Sequence, residues 1–248
     1  MPKNSTSLPD GRPVPDRFPA RELIFGKIRD GLPQNKEVMK LYGYWRSTTS
    51  FRVRIALNLK GVSYETVPVN LVAGEQRAPD YVALNPGKGV PTLILEDGRV
   101  LTQSLAIINY LDAAIPEPPF LPEDPFERAR VQAAAHTIAM DIHPVNNLKV
   151  TVHLKTRYGL AAEDGIEWFR HWMTEGFHAY QALLPANTTF SFGDKPDLAD
   201  ICLVAQLYNA HRWGVDMAPF DRLLEIEERA FTLPAFDAAR PENQADAS

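Results

Sequence analysis

The sequence predicts an α/β domain followed by an all-α domain, and three observations carry that expectation. From Met39 to about Leu111 the pattern runs strand, helix, strand, short helix, two strands, helix. Beyond Asp124 only helical periods occur, with no credible strand pair. Between them lies Ile115-Pro116-Glu117-Pro118-Pro119-Phe120-Leu121-Pro122, a proline-stiffened connection. The expected segments are 39–115 for the α/β part, 116–123 for the linker and 124–240 for the helical part. A disordered or loosely packed extension over 1–38 and a frayed polar tail over 241–248 complete the chain.

The first strand, Lys40 to Gly43, is apolar and aromatic. The helix after it carries Val53, Ala56, Leu57 and Lys60 on one side at the 3.6-residue period. Between them stand four hydroxyl side chains, Ser47, Thr48, Thr49 and Ser50. A strand turning into a helix N-terminus there collects unpaired backbone N–H groups and the positive end of the helix dipole, which stabilises an anion. An isolated cluster of this kind usually does no more than cap its helix.

Ser63 to Val67 alternates as a strand between Gly61 and Pro68, and Gln76 to Leu84 is a weak helical segment closed by Asn85-Pro86-Gly87. Val90 to Leu95 and Arg99 to Leu101 flank Glu96-Asp97-Gly98, a hairpin with an Asp-Gly turn. Gln103-Ser104 precedes the periodic run Leu105 to Leu111, so Ser104 reads as an N-cap, either a second anion site or a plain structural cap. In the second half, Phe126 to Tyr158 is a long helical pattern interrupted at Pro144, and Asp164 to Leu184 is a helix rich in bulky apolar residues. Asp197 with Asp200 forms a carboxylate capping box opening a helix to about Trp213, and Phe220 to Phe231 forms the last helix.

Composition narrows the function. Of 248 residues 45% are hydrophobic and 23% charged, as in ordinary soluble globular proteins. A net charge of −5 argues against nucleic acid or an anionic membrane as partner. No window approaches the roughly 18 apolar residues of a membrane span. The single cysteine, Cys202, sits in an apolar run; it excludes an internal disulfide or CxxC pair, reads as a buried hydrophobe and suits a reducing cytoplasm. The six histidines show no metal-binding spacing. Residues 1–38 hold six of the 21 prolines and no apolar leader core, and their acidic residues speak against a transit peptide.

Taken together, Tyr44-Trp45-Arg46-Ser47-Thr48-Thr49-Ser50-Phe51-Arg52-Val53-Arg54-Ile55-Ala56-Leu57, Asn85-Pro86, Val90-Pro91-Thr92-Leu93, Gln103-Ser104-Leu105-Ala106, Asp141-Ile142-His143-Pro144-Val145-Asn146-Asn147-Leu148 and Asp197-Leu198-Ala199-Asp200 resemble the zeta-class glutathione transferases, the maleylacetoacetate isomerase family. The likeness covers residue 39 to about 240, and Met39 looks like the usual start of such proteins, so residues 1–38 are expected to be dispensable. It implies a thioredoxin-like domain and a helical domain, glutathione as cofactor, a homodimer, and a small dicarboxylate substrate. By that resemblance Thr48 aligns with the serine that contacts the glutathione sulfur, with Ser47 as second choice and Thr49 where many relatives have cysteine. A cis Val90-Pro91 bond exposes Val90 to the peptide, Gln103 and Ser104 meet its γ-glutamyl carboxylate, and Gln76 its glycyl end. Ser50, Arg52, Pro91, His143 and Asn147 belong to the same glutathione-binding set. Relatives also use glutamine at the position of His143, which implies hydrogen-bonded positioning rather than proton transfer there.

A free thiol ionises near pKa 8.5, roughly, so a hydroxyl donor at the turn is needed to favour thiolate. The reaction implied is addition of that thiolate to a cis double bond, rotation, and elimination, converting maleylacetoacetate to fumarylacetoacetate in aromatic amino-acid breakdown. Arg46 and Arg212 are the candidates for the substrate carboxylates, because a guanidinium fork binds them bidentately. Maleylpyruvate isomerisation, a conjugating or dehalogenating transferase, and a non-enzymatic binding module are the alternatives on the same scaffold.

Overall fold

The computed structural model describes residues 38–247, so the expectations for residues 1–37 lie outside the described residues. Four strands form one sheet: β1 (Met39–Gly43), β2 (Tyr64–Pro68), β3 (Thr92–Ile94) and β4 (Val100–Thr102), in the order β2-β1-β3-β4. β1 runs parallel to β2 and antiparallel to β3, with Leu41 facing Thr66 on one side and Leu93 on the other. The hairpin turn is the expected one: Gly98 takes φ 82°, and Asp97 accepts the Arg99 N–H at 3.0 Å.

Helix α1 (Thr48–Leu59) follows β1, α2 (Pro79–Leu84) follows a single 3-10 turn, and α3 (Ser104–Ala114) follows β4. α1 approaches the end of β1 closely because position 43 is glycine, where an added Cβ would stand 3.2 Å from Ser50 Oγ. One side of α1 meets α3, and another meets the helix Leu198–Trp213 of the second half.

The second half contains α4 (Pro125–His136), a π-helical turn over Thr137–Ile142, α5 (Leu148–Tyr158), α6 (Ala162–Leu183), α7 (Leu198–Trp213), α8 (Asp221–Phe231) and a short α9 (Pro234–Asp237). α7 is buried from Leu198 through Leu207, which explains its continuous apolar run; Cys202 lies inside it, and burial pushes its thiol up to about 11. Asp197 and Asp200 close the reciprocal capping box that their spacing announced, and Asp200 also accepts the Ser191 N–H at 2.8 Å. The proline linker is tied at both ends. Lys60 Nζ donates to Asp112 at 2.8 Å and to Pro118 O, while Phe120 O accepts the Leu198 N–H at 3.0 Å.

Three features differ from the sequence expectation. Ser104 is the first helical residue rather than the cap; Gln103 holds the cap position at φ 69° and makes no capping bond. The pattern read as one helix up to Pro144 loosens into the π turn, because Gly176 on α6 lets Ile142 enter where any side chain would collide; a Cβ there would lie 2.2 Å from Ile142 Cγ1. The polar end expected to fray is docked instead. Pro241 is buried, Gln244 donates to Ala238 O and Arg240 O, and the Trp45 N–H donates to Asp246 Oδ2 at 3.1 Å. Buried Arg54, pushed down to about 10 by that burial, joins the two regions by donating to Trp45 O and Ala239 O, both at 3.0 Å.

Candidate active site

A hydroxyl carries one proton, so the four hydroxyls of the 47–50 turn can be accounted for one by one. Thr49 Oγ1 donates to Val90 O at 2.8 Å. Its proton being spent, the 2.9 Å contact between Ser47 Oγ and Thr49 Oγ1 must be donated by Ser47. Ser47 Oγ in turn accepts the Ser50 N–H at 3.2 Å and is the N-cap of α1. Ser50 is fully buried, with Oγ accepting the Tyr44 N–H at 3.4 Å. Of the three hydroxyls that are not fully buried, only Thr48, 3% exposed, stands outside this chain.

The partner of Thr48 comes from the second half: its Oγ1 lies 3.2 Å from Nδ1 of His143. His143 follows the π turn, and its N–H reaches back to Ile138 O at 3.0 Å. α6 secures the following loop, with Trp168 Nε1 donating to Val145 O at 3.0 Å and Asn146 Nδ2 to Phe169 O at 3.5 Å. Burial, with the positive charges of Arg52 and Lys149 adding to it, pushes His143 down to about 3, so the ring is neutral.

Arg46 and Arg212 form the other half of the site. Arg46 donates to Tyr44 Oη at 3.4 Å and covers the Trp45 ring at 4.8 Å; Arg212 covers Trp213 at 4.5 Å. Neither has a carboxylate partner among the described residues, and Arg46 Nε is buried without any hydrogen bond. Partial burial lowers the pKa of Arg212 and the nearby charge of Arg46 lowers it further. A cavity of about 370 Å³ touches Arg212 and Tyr208 but contains neither Thr48 nor Arg46, and Glu227 and Glu242 on its wall would repel an anion. The space between the two arginines is the better place for one.

Three comparisons with known proteins bear on this geometry. Residues 37–113 match the family model "Glutathione S-transferase, N-terminal domain". A probable maleylacetoacetate isomerase of Vibrio cholerae is 46% identical over 211 residues, 84% of this chain and 97% of that protein. This chain belongs to the zeta-class glutathione transferases, the maleylacetoacetate isomerase family. Among solved structures of the family, a holo maleylpyruvate isomerase is 42% identical with TM-score 0.82, covering 84% of this chain and 100% of that one. A maleylacetoacetate isomerase of Methylobacterium extorquens, solved with malonate and glutathione bound, is 40% identical with TM-score 0.81, covering 84% of this chain and 99% of that one.

The glutathione-binding set expected from the zeta-class resemblance divides on inspection. Val90-Pro91 is cis, with Val90 O held by Thr49, and Gln103 and Ser104 open α3 with side chains that make no hydrogen bond to other described residues. These groups, with the Thr48 hydroxyl, fit a peptide thiol carrying a carboxylate. Gln76 is buried with Oε1 unpaired. Two residues depart from the expectation. Ser50 is fully buried and bonded within the turn, and Arg52 is 1% exposed with Nε and Nη2 unpaired, so neither side chain is presented to a ligand. Asn147 caps α5 by accepting the Lys149 N–H at 3.1 Å, which engages its carbonyl oxygen. Sequence reasoning missed Tyr44, Tyr208 and Asp246. The alternating aromatics of 42–45 hinted at the first, whereas nothing local pointed to a C-terminal aspartate holding Trp45.

Proposed function

We propose that this chain is a glutathione-dependent cis–trans isomerase that converts maleylacetoacetate to fumarylacetoacetate. The observation that carries the reading is the pair of arginines, Arg46 and Arg212, without a carboxylate partner among the described residues, with Arg46 two positions before the Thr48 hydroxyl that the turn leaves free. Two neighbouring guanidinium groups without a carboxylate partner make a site where an anion is stabilised. A dicarboxylate does so, and malonate occupies a solved relative together with glutathione.

Bound glutathione supplies the sulfur nucleophile that makes the substrate's double bond transiently single. The chain's own residues do the rest. Thr48 donates its hydroxyl proton to the sulfur and favours the thiolate. Arg46 and Arg212 clamp the carboxylates and face the negative charge that develops on the substrate carbonyl, a preorganised electrostatic contribution. Val90, Gln103 and Ser104 orient the peptide by backbone and side-chain hydrogen bonds. The isomerase acts as a homodimer in the cytoplasm; Phe126, 70% exposed, and Met140, 55% exposed, are the kind of apolar surface a second copy covers.

Maleylpyruvate is the second reading, favoured by the likeness to the holo maleylpyruvate isomerase. Against it, the segment after Asn147 offers only Leu148, 54% exposed, and Lys149, a point charge without a bidentate fork. The longer maleylacetoacetate, held chiefly by Arg46 and Arg212, is therefore the preferred substrate. An absorbance assay of both compounds with and without glutathione tests this. Glutathione-dependent turnover with the higher kcat/KM for maleylacetoacetate is expected. Turnover of neither compound would refute the isomerase, and better turnover of maleylpyruvate would reverse the substrate order. Light scattering at micromolar concentration checks the dimer, which a monomeric mass would remove.

A further inference from the structure

We infer that His143 is a positioning residue for the sulfur site: it donates its Nδ1–H to Thr48 Oγ1, and so leaves the single proton of Thr48 for the glutathione sulfur. This deepens the proposed function and rests on glutathione being the thiol. At 3.2 Å, Thr48 Oγ1 and His143 Nδ1 share a hydrogen bond that either can donate. If Thr48 donated, its only proton would point at the imidazole and no side chain of the turn could donate to sulfur, because Ser47 and Thr49 are committed to Thr49 and to Val90 O and Ser50 is fully buried. A side-chain donor to sulfur exists only with the proton on Nδ1.

The surroundings favour that arrangement. Arg52 lies one helical turn after Thr48 on the same side of α1, buried without a carboxylate or any hydrogen bond to Nε or Nη2. An uncompensated buried cation disfavours a second positive charge nearby, and its effect on His143 is to keep the ring neutral, with Lys149 acting in the same sense. A neutral imidazole has one N–H, and the hydrogen bond at Nδ1 sets which nitrogen carries it. The π turn and the Gly176–Ile142 contact, which precede His143 directly, fix the height at which the ring meets Thr48. Two hydrogen bonds in series, Nδ1–H to Oγ1 and Oγ1–H to sulfur, also polarise each other.

Two measurements on the full-length chain test the inference. Nitrogen NMR of the imidazole in the free protein is expected to show His143 neutral with the proton on Nδ1; a proton on Nε2 alone would overturn the inference without reference to glutathione. The ultraviolet absorbance of enzyme-bound glutathione thiolate at neutral pH reads the consequence. His143→Ala is expected to raise the pKa of the bound thiol by about one unit, roughly a tenfold loss in the thiolate-to-thiol ratio. His143→Asn, which places an amide N–H where Nδ1 stands, restores most of it. In Thr48→Ala the further change His143→Ala adds nothing, because the two act through one proton. An unchanged thiolate ratio in His143→Ala, or full additivity with Thr48→Ala, would overturn the inference. If the unmodified chain binds no glutathione, the proposed function falls, and the tautomer alone decides this one.

Discussion

The turn at 47–50 and the arginine pair at 46 and 212 sit side by side but are finished to different degrees. In the turn nearly every polar group has a protein partner: Ser47 caps α1, Thr49 holds Val90, and Ser50 holds Tyr44. The arginines rest on aromatic rings and lack any carboxylate among the described residues. Internal satisfaction makes the turn rigid and leaves one aimed proton, as suits a cofactor sulfur bound the same way in every cycle. Internal dissatisfaction keeps the arginines ready for an anion that comes and goes. Charged hydrogen bonds are worth about 1.5–3 kcal/mol each, so on the proposed mechanism the two arginines supply much of the binding energy for the diacid.

That contrast can be broken at several points. Replacing both arginines, Arg46→Ala with Arg212→Ala, should raise KM for either maleyl substrate by about two orders of magnitude while bound glutathione keeps its thiolate absorbance. A fall in the thiolate signal of similar size would merge the two halves into one. Gly176→Ala should cost about 1–3 kcal/mol in denaturant unfolding, because the new methyl meets Ile142 beneath the π turn. It should also lower kcat, since His143 moves with that turn.

The histidines give the contrast a pH signature. His143 has a folded-state pKa near 3, against an ordinary value of 6.5, so its neutral form is the folded one. Its contribution is intact above the unfolded value and is lost as pH falls from 6.5 toward 3. His211 is shifted upward by its hydrogen bond to Glu227, 2.7 Å away, so its contribution is present at low pH and lost as pH rises through its folded value. Unfolding midpoints of His143→Asn across the acid range should fall less steeply than those of the unmodified chain. The smallest effect belongs to Asp246→Ala, which frees the Trp45 N–H and should cost about 0.5–1.5 kcal/mol, with a modest rise in substrate KM because Arg46 is next in the chain.

Much of the fold was legible because its signals are local. The Asp-Gly hairpin, the Asp197–Asp200 box and the helix after the hydroxyl turn each depend on residues within a few positions of one another. The π turn was not legible, because its cause, Gly176, lies some thirty positions away in sequence and acts only through contact with Ile142. The docked tail was missed for the same reason: its polar composition resembles a frayed end, and the group its Asp246 holds, the Trp45 N–H, lies some two hundred positions earlier. In the site, residue type pointed to the 47–50 turn and to the arginines. It could not tell that Ser50 and Arg52 face inward, since a helix with buried positions on nearly every side gives no amphipathic stripe to read.

On the proposed mechanism Thr48 is the hydroxyl of the turn that donates to the glutathione sulfur. The most direct measurement is the thiolate absorbance of bound glutathione at neutral pH in Ser47→Ala, Thr48→Ala and Thr49→Ala, each checked for folding by its unfolding midpoint. The expected result is a loss of most thiolate in Thr48→Ala, with the other two variants near the unmodified value even though Ser47→Ala gives up about 1 kcal/mol of helix capping. Thiolate retained in Thr48→Ala, or lost equally in Ser47→Ala or Thr49→Ala, would contradict the account.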